Sequence, residues 1–427
     1  MKVRLLTLLC LAAAFAAPGF SSQAKAGDGP IRVLFLGHES EHHNSNLYYP
    51  MLSRALGRDA IYFDYTTSVE EALGDASRLA KFDALLLYAN HGRIEPHQWK
   101  NLKDYVEGGG GFVPVHCASW CFGNEPGFDK LVGGRFKSHQ GAEFAAKIVK
   151  PNHPAMKDVK EFTAWDETYF HNNHNTENRT VLMVREAMPG DPHTKPEPWT
   201  WVRTQGKGRV FYTASGHDQR VWSHSDFHQL IKSGILWSVG NKARKRYDNF
   251  IAKRTPLKYE KRGNIPNYER RSEPLQYQLP LSPEDSMKYT QVPVGFRMEL
   301  FAAEPDVINP IYMTWDERGR LWVVETVDYP NEFKDGRKGN DRIKICEDTD
   351  GDGKADKFTV FAEGFNIPTS MTFARGGVIL AHAPEFYFLK DTDGDDKADV
   401  REVLFTGWGV GDTHAGPSNL RYGFDNW

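Results

Sequence analysis

Residues 108–119 read Gly-Gly-Gly-Gly-Phe-Val-Pro-Val-His-Cys-Ala-Ser. The glycine run closes one element, Phe112–Val115 has the composition of a short buried strand, and His116 stands at its carboxyl end. Three more apolar runs end the same way: Ile31–Gly37 before His38, Ala84–Asn90 before His91, and Arg209–Gly216 before His217. Stretches with helical spacing separate the first three runs, at Asn46–Leu56, Val69–Ala80 and Pro96–Glu107, and Phe227–Val239 closes the region. Ile61–Tyr65 and Phe144–Val149 read as further strands. The β-α-β-α order predicts an α/β domain with a doubly wound parallel sheet over residues 29–245. In such sheets ligands bind outside the carboxyl ends of the strands, so four imidazoles at four strand ends predict one polar pocket.

The distribution of histidine supports a site. Fourteen of the 16 histidines lie between residues 38 and 228, whereas surface scatter would spread them over the chain. Neutral imidazole binds metals, hydrogen-bonds sugar hydroxyls and transfers protons near neutral pH. His116 and His217 are therefore candidate catalytic residues, with Asp166 and Glu167 as acidic partners, and His38, His91 and Asp218 as substrate-binding candidates. The plainer reading makes several of these histidines satisfied structural groups and Asp166–Glu167 a solvated loop or helix cap. A His/carboxylate set suits zinc or another divalent metal, with an open position if it is catalytic. His224 and His228 have His-x-x-x-His spacing on a predicted helix, but no Glu follows His224, so the zinc-protease motif is absent.

A chain of 427 residues exceeds one ordinary domain. Its net charge of -3 excludes bulk affinity for nucleic acid. Residues 1–26 read as a secretory signal: Lys2 and Arg4, an apolar Leu5–Ala17 stretch, then Ala24-Lys25-Ala26 as a cleavage site. The alternative is a retained anchor. The expected location is secreted or periplasmic, with no membrane span after signal cleavage. Cys117, Cys121 and Cys346 are too few for a disulfide framework; Cys117 and Cys121 are either bridged or two buried thiols.

Composition changes near residue 241. From 241 to 273 there are eleven Lys or Arg against four Asp or Glu, and Pro256, Pro266, Pro274, Pro280 and Pro283 interrupt any long element. Residues 246–285 are expected to be a basic, extended linker. Residues 286–427 are strand-rich, with strands expected at Phe296–Phe301, Ile311–Trp315, Leu321–Glu325, Arg342–Cys346, Phe358–Ala362, Val378–Ala381, Phe386–Lys390 and Val400–Phe405. Within them Asp348-Thr349-Asp350-Gly351-Asp352-Gly353-Lys354-Ala355-Asp356 recurs 43 residues later as Asp391-Thr392-Asp393-Gly394-Asp395-Asp396-Lys397-Ala398-Asp399. Each loop supplies carboxylates at the first, third, fifth and ninth places of a calcium loop, and Glu402 takes the twelfth place of the second. Calcium is the expected ion; two acidic, solvated turns are the plainer reading.

A glycine run, a buried strand and a reactive residue at a sharp turn is how class I glutamine amidotransferases place their cysteine nucleophile. Here His116 falls at that place, and imidazole cannot form the thioester. The segment 31–240 instead resembles the ThuA-like (trehalose utilisation) family. His153-Pro154, Phe162–Tyr169, Gly216–Trp222 and Gly234–Gly240 agree with it. The resemblance implies an amidotransferase-like, flavodoxin-like fold and a carbohydrate-linked role: binding, and transforming, a sugar or an oxidised sugar.

Residues 286–427 resemble the first part of a quinoprotein sugar dehydrogenase-like propeller, of the membrane-bound dehydrogenase type. Pro293–Phe296, Trp315–Val323, the two Asp loops and His414–Leu420 carry the likeness. It implies His414 as the base that takes a substrate hydroxyl proton. Only two to three blades are present, so the segment is expected to be a truncated, inactive propeller, with pyrroloquinoline quinone relevant only to a full one. The rival reading is a non-catalytic sugar-binding or adaptor domain of a larger quinone-dependent oxidoreductase.

Overall fold

The computed structural model describes residues 28–262, 270–272, 276–330, 334 and 338–425. The expected signal segment, 1–26, lies outside the described residues, as do 263–269 and 273–275 of the expected linker. The chain divides into two compact units: one runs through Tyr259 and regains Lys288–Phe296, the other comprises Glu260–Met287 and Arg297 onward.

The first unit is built on strands β1 (Ile31–Leu36), β2 (Ile61–Thr66), β3 (Ala84–Leu87), β4 (Gly111–Pro114), β5 (Arg135–Ser138), β6 (Gly141–Ala145), β7 (Lys147–Ile148), β8 (Thr163–Glu167), β9 (Phe170–Asn172), β10 (Arg179–Arg185), β11 (Glu197–Gln205) and β12 (Gly208–Thr213). Eight of them form one sheet in the order β2-β1-β3-β4-β12-β11-β10-β7. The pairs from β2 through β12 are parallel. The doubly wound core is therefore present, and an antiparallel wing of β11, β10 and β7 extends it. β1, β3 and β4 are buried along nearly their whole length, as strands covered on both faces must be.

Helices α1 (Ser45–Gly57), α2 (Val69–Leu73), α3 (Ala76–Leu79), α4 (Pro96–Glu107), α5 (Pro126–Val132), α6 (Gln219–Trp222), α7 (Ser225–Ser238) and α8 (Asn241–Ala252) complete the unit. The single helix expected over Val69–Ala80 is two, because Asp75 caps a second start by accepting from Ser77 N. α8 carries regular structure into the stretch expected to be extended linker. Further on, Lys288–Phe296 lies along the edge strand β2: Tyr62 donates to Lys288 O, Gln291 to Phe63 O, and Val294 N to Asp64. A covered edge cannot template strand addition by another chain. Pro293 and Gly295 form a turn closed by Phe296 N to Pro293 O, so no strand forms at Phe296–Phe301.

The second unit contains two four-stranded antiparallel sheets. One takes Pro310–Trp315, Leu321–Glu325, Asp341–Glu347 and Lys357–Phe365 in sequence order; the other takes Ser370–Ala374, Gly377–His382, Glu385–Lys390 and Val400–Thr406. Each Asp loop joins the third strand of its sheet to the fourth. Trp322, Val324, Ile343, Phe365, Leu380 and Leu389 are part of the shared core.

Candidate functional site

The site is assembled at the carboxyl ends of β1, β3, β4 and β12, with β8 supplying its acids. His116 leaves β4 at φ +49°, a left-handed conformation that costs a non-glycine residue about 1–3 kcal/mol. Its surroundings fix it there. Nδ1 donates to Ala214 O at 2.6 Å, the ring stacks on Tyr169 at 4.1 Å, and its carbonyl accepts from the Tyr212 hydroxyl at 3.1 Å. His116 is fully buried, and burial takes its pKa down to about 3, so the ring is neutral.

Asp166 and Glu167 end β8, and the two do different work. Asp166 is buried and accepts three backbone amides: Gly216 N at 3.0 Å, His217 N at 3.1 Å and Glu167 N at 2.9 Å. It therefore holds the turn that presents His217. Burial pushes its carboxyl up to about 7, against those three amides, which favour the charged form. The Gly216 carbonyl is fixed from the other side by Tyr88 and Trp222, each donating at 2.8 Å. Trp222 is itself buried and stacked on Tyr48.

Glu167 is the hub. Its carboxylate lies 3.2 Å from His116 Nε2, 3.2 Å from His217 Nδ1, 3.4 Å from His139 Nδ1 and 3.5 Å from His43 Nε2. Burial alone would raise its pKa; the hydrogen bonds with His116, His217 and His43 outweigh this and hold it well below the usual carboxylate range. Burial also lowers His217, but the Glu167, Asp166 and Asp218 charges reverse the balance and raise it. His217 is therefore the favoured carrier of a proton, and Glu167 is the anion.

His38 and His91, expected in the pocket, sit behind it. His38 accepts Asn90 N on Nδ1 and donates from Nε2 to His43 O, while His91 donates to Gly37 O and stacks on Phe122. They hold the strand-end loops together. His43 and His139 join Glu167 instead, and the His42 ring lies against His43, centroids 4.3 Å apart and tilted by 58°. Asp218 caps α6 and pairs with Arg220. His414 belongs to the second unit, exposed and bonded to Asp412 at 2.9 Å.

The Asp loops gather Asp348, Asp350 and Asp356 in one group and Asp391, Asp393 and Asp399 in another. Asp352 and Asp395 stand outside these groups, their Oδ1 atoms accepting from Lys354 N and Lys397 N. Glu402 is in a strand opposite Phe388. Cys117, Cys121 and Cys346 are free and buried, which settles the open pairing in favour of thiols.

Above Glu167 opens a recess of about 260 Å³ lined by His42, His43, Asn90, Trp120, Phe136 and His139. Its floor offers imidazole nitrogens, an amide and a carboxylate. Its wall is aromatic, and Trp120 is 40% exposed there. Such a site can hold a cation, bind hydroxyl groups and move a proton. Residues 32–238 match the family described as Trehalose utilisation, ThuA.

They form a ThuA-like domain. Two solved ThuA-like proteins are similar to it. The one from Bacteroides uniformis ATCC 8492 is 18% identical, with a TM-score of 0.43, over 49% of this chain and 91% of its own. The one from Parabacteroides merdae ATCC 43184 is 19% identical, with a TM-score of 0.43, over 49% of this chain and 90% of its own. Residues 282–427 match a family described as a domain of unknown function, DUF7133, and that match carries no activity. No curated protein matches the chain.

Proposed function

We propose that the ThuA-like domain binds a carbohydrate, a sugar or an oxidised sugar, in the recess over Glu167, with His116, His217, Asp166 and Glu167 as the groups that act on it. The observation that carries this reading is the pairing of an aromatic wall, Trp120 and Phe136, with a polar floor of His43, Asn90, His139 and Glu167. A sugar ring has apolar C–H faces and a polar rim, and needs both surfaces at once. A volume of about 260 Å³ lies just below the range of drug-sized pockets, which suits a small polyhydroxy ligand.

Isothermal titration with a panel of mono- and disaccharides, trehalose among them, tests this. At least one sugar should bind, and Trp120→Ala should weaken it about tenfold or more. No binding by any sugar, or equal binding by the variant, would refute the reading. Binding without turnover would assign an adaptor role.

For the C-terminal unit we propose calcium at the Asp348 and Asp391 loops, within a dehydrogenase-like propeller. Two consecutive four-stranded antiparallel sheets, each with the loop at the same hairpin, support that reading. Millimolar calcium should raise the unfolding temperature of this unit; no shift would count against it.

A further inference from the structure

We infer that the strand-end cluster is a centre for one divalent first-row transition metal of the zinc class, held by His43 Nε2, His217 Nδ1 and the Glu167 carboxylate, with His42 and His116 at its flanks. This goes beyond the carbohydrate reading and stands whichever ligand enters the recess.

One ligating atom each of His42, His43, Glu167 and His217 lies within 4.8 Å of all the others. His43 Nε2 and His217 Nδ1 are 3.2 Å apart; His43 Nε2 stands 3.5 Å from Glu167 Oε2 and His217 Nδ1 stands 3.2 Å from Glu167 Oε1. A tetrahedral ion with bonds of about 2.0–2.1 Å has ligand-to-ligand edges of about 3.3 Å. The three observed separations, 3.2, 3.5 and 3.2 Å, are of that size, with the two carboxylate oxygens facing one imidazole each.

Two of the rings are held from outside. His116 Nδ1 bonds Ala214 O at 2.6 Å, which holds the ring with Nε2 3.2 Å from Glu167 Oε2. His43 Nδ1 bonds Asn90 Oδ1 at 2.8 Å, which turns its Nε2 inward as well. A ring nitrogen fixed by an outer oxygen while the other faces inward is the arrangement that orients metal-binding histidines.

Calcium and magnesium take oxygen ligands, whereas imidazoles beside one carboxylate suit zinc, cobalt, nickel or iron. The support is built in, since Asp166 fixes the backbone of both His217 and Glu167. The open side faces the recess, where a substrate oxygen or water would complete the coordination.

Chelator-stripped full chain titrated with cobalt(II) tests the inference. The wild type should take up one equivalent with visible d–d absorption, and zinc should abolish the band. His43→Ala and His217→Ala should each weaken uptake about a hundredfold or more, while Asp350→Asn with Asp393→Asn leaves the band unchanged. An unaltered band in both histidine variants, or no band in folded wild type, would overturn the assignment. Should the variants fail to fold by near-ultraviolet circular dichroism, X-ray absorption of the zinc-loaded wild type decides. Imidazole scattering at two or more nitrogens is expected, and an all-oxygen shell would overturn it.

Discussion

Replacing Gly216 by alanine should damage both the fold and the site, by an amount the structure sets. Gly216 has φ +138°, a conformation that side-chain-bearing residues rarely adopt. An alanine Cβ would also lie 3.1 Å from His116 Cβ and 3.3 Å from Val115 Cγ1, inside the 3.5–4.0 Å optimum for carbon contacts. Backbone strain costs about 1–3 kcal/mol, and overpacking adds about as much, for a total of roughly 4 kcal/mol. In a domain of this size that lowers the unfolding temperature by roughly 8–16 °C. Moving the turn also moves His217, because Gly216 N and His217 N share Asp166. Sugar and cobalt affinity should therefore fall together with stability.

Calorimetry of the full chain is the assay, with Gly57→Ala as its internal control. Gly57 ends α1, has nothing within 4 Å of a built Cβ, and should gain a few tenths of a kcal/mol. A Gly216→Ala protein within about 0.5 kcal/mol of wild type, with unchanged ligand affinity, would refute the account of how His217 is held.

The remaining predictions concern thiols, a buried carboxylate and a buried histidine. Cys117, Cys121 and Cys346 are buried, and burial pushes Cys121 up to about 12. Mass mapping after iodoacetamide at pH 8 should find all three unmodified in native protein and all three alkylated in urea. In the second unit, burial raises Asp328, but Lys334, Asn340 and Asn366 outweigh it and set its pKa at about 2. Its folded value lies below the unfolded one. The stabilisation, about 2 kcal/mol, is thus complete above about pH 4 and is lost as pH falls through 2. The stability gap between wild type and Asp328→Asn should shrink by that amount between pH 5 and pH 2, and a constant gap would contradict the assignment. His38→Gln should cost stability while leaving cobalt stoichiometry at one, since the His38 ring bonds Asn90 N and His43 O rather than Glu167.

Much of the first unit is legible because uninterrupted apolar runs ending in His or Gly mark buried parallel strands. His116 and His217 are visible on that ground, and Asp166 and Glu167 as acidic partners within the stretch Phe162–Tyr169. His38 and His91 misdirect. Standing next to a strand does not decide which way a ring turns, and both turn to neighbouring carbonyls. His43 lies in a loop, and β5 before His139 reads Arg-Phe-Lys-Ser, with no apolar run to mark it; only the clustering of histidine hints at their part. The antiparallel wing was hidden because Pro198 stands inside β11 and reads as an interruption, although it is tolerated there at a register shift against β10. The repeated Asp loops are legible as hairpins, and the strands they join are present.

The central claim is that the recess over Glu167 is where the ligand binds. Imidazole nitrogen spectra of the ¹⁵N-histidine-labelled full chain, recorded with and without the sugar that binds best, test it most directly. The signals of His42, His43 and His139 should move, while those of His171 and His224 stay in place. Shifts confined to histidines remote from Glu167, or no shift at saturating sugar, would contradict it.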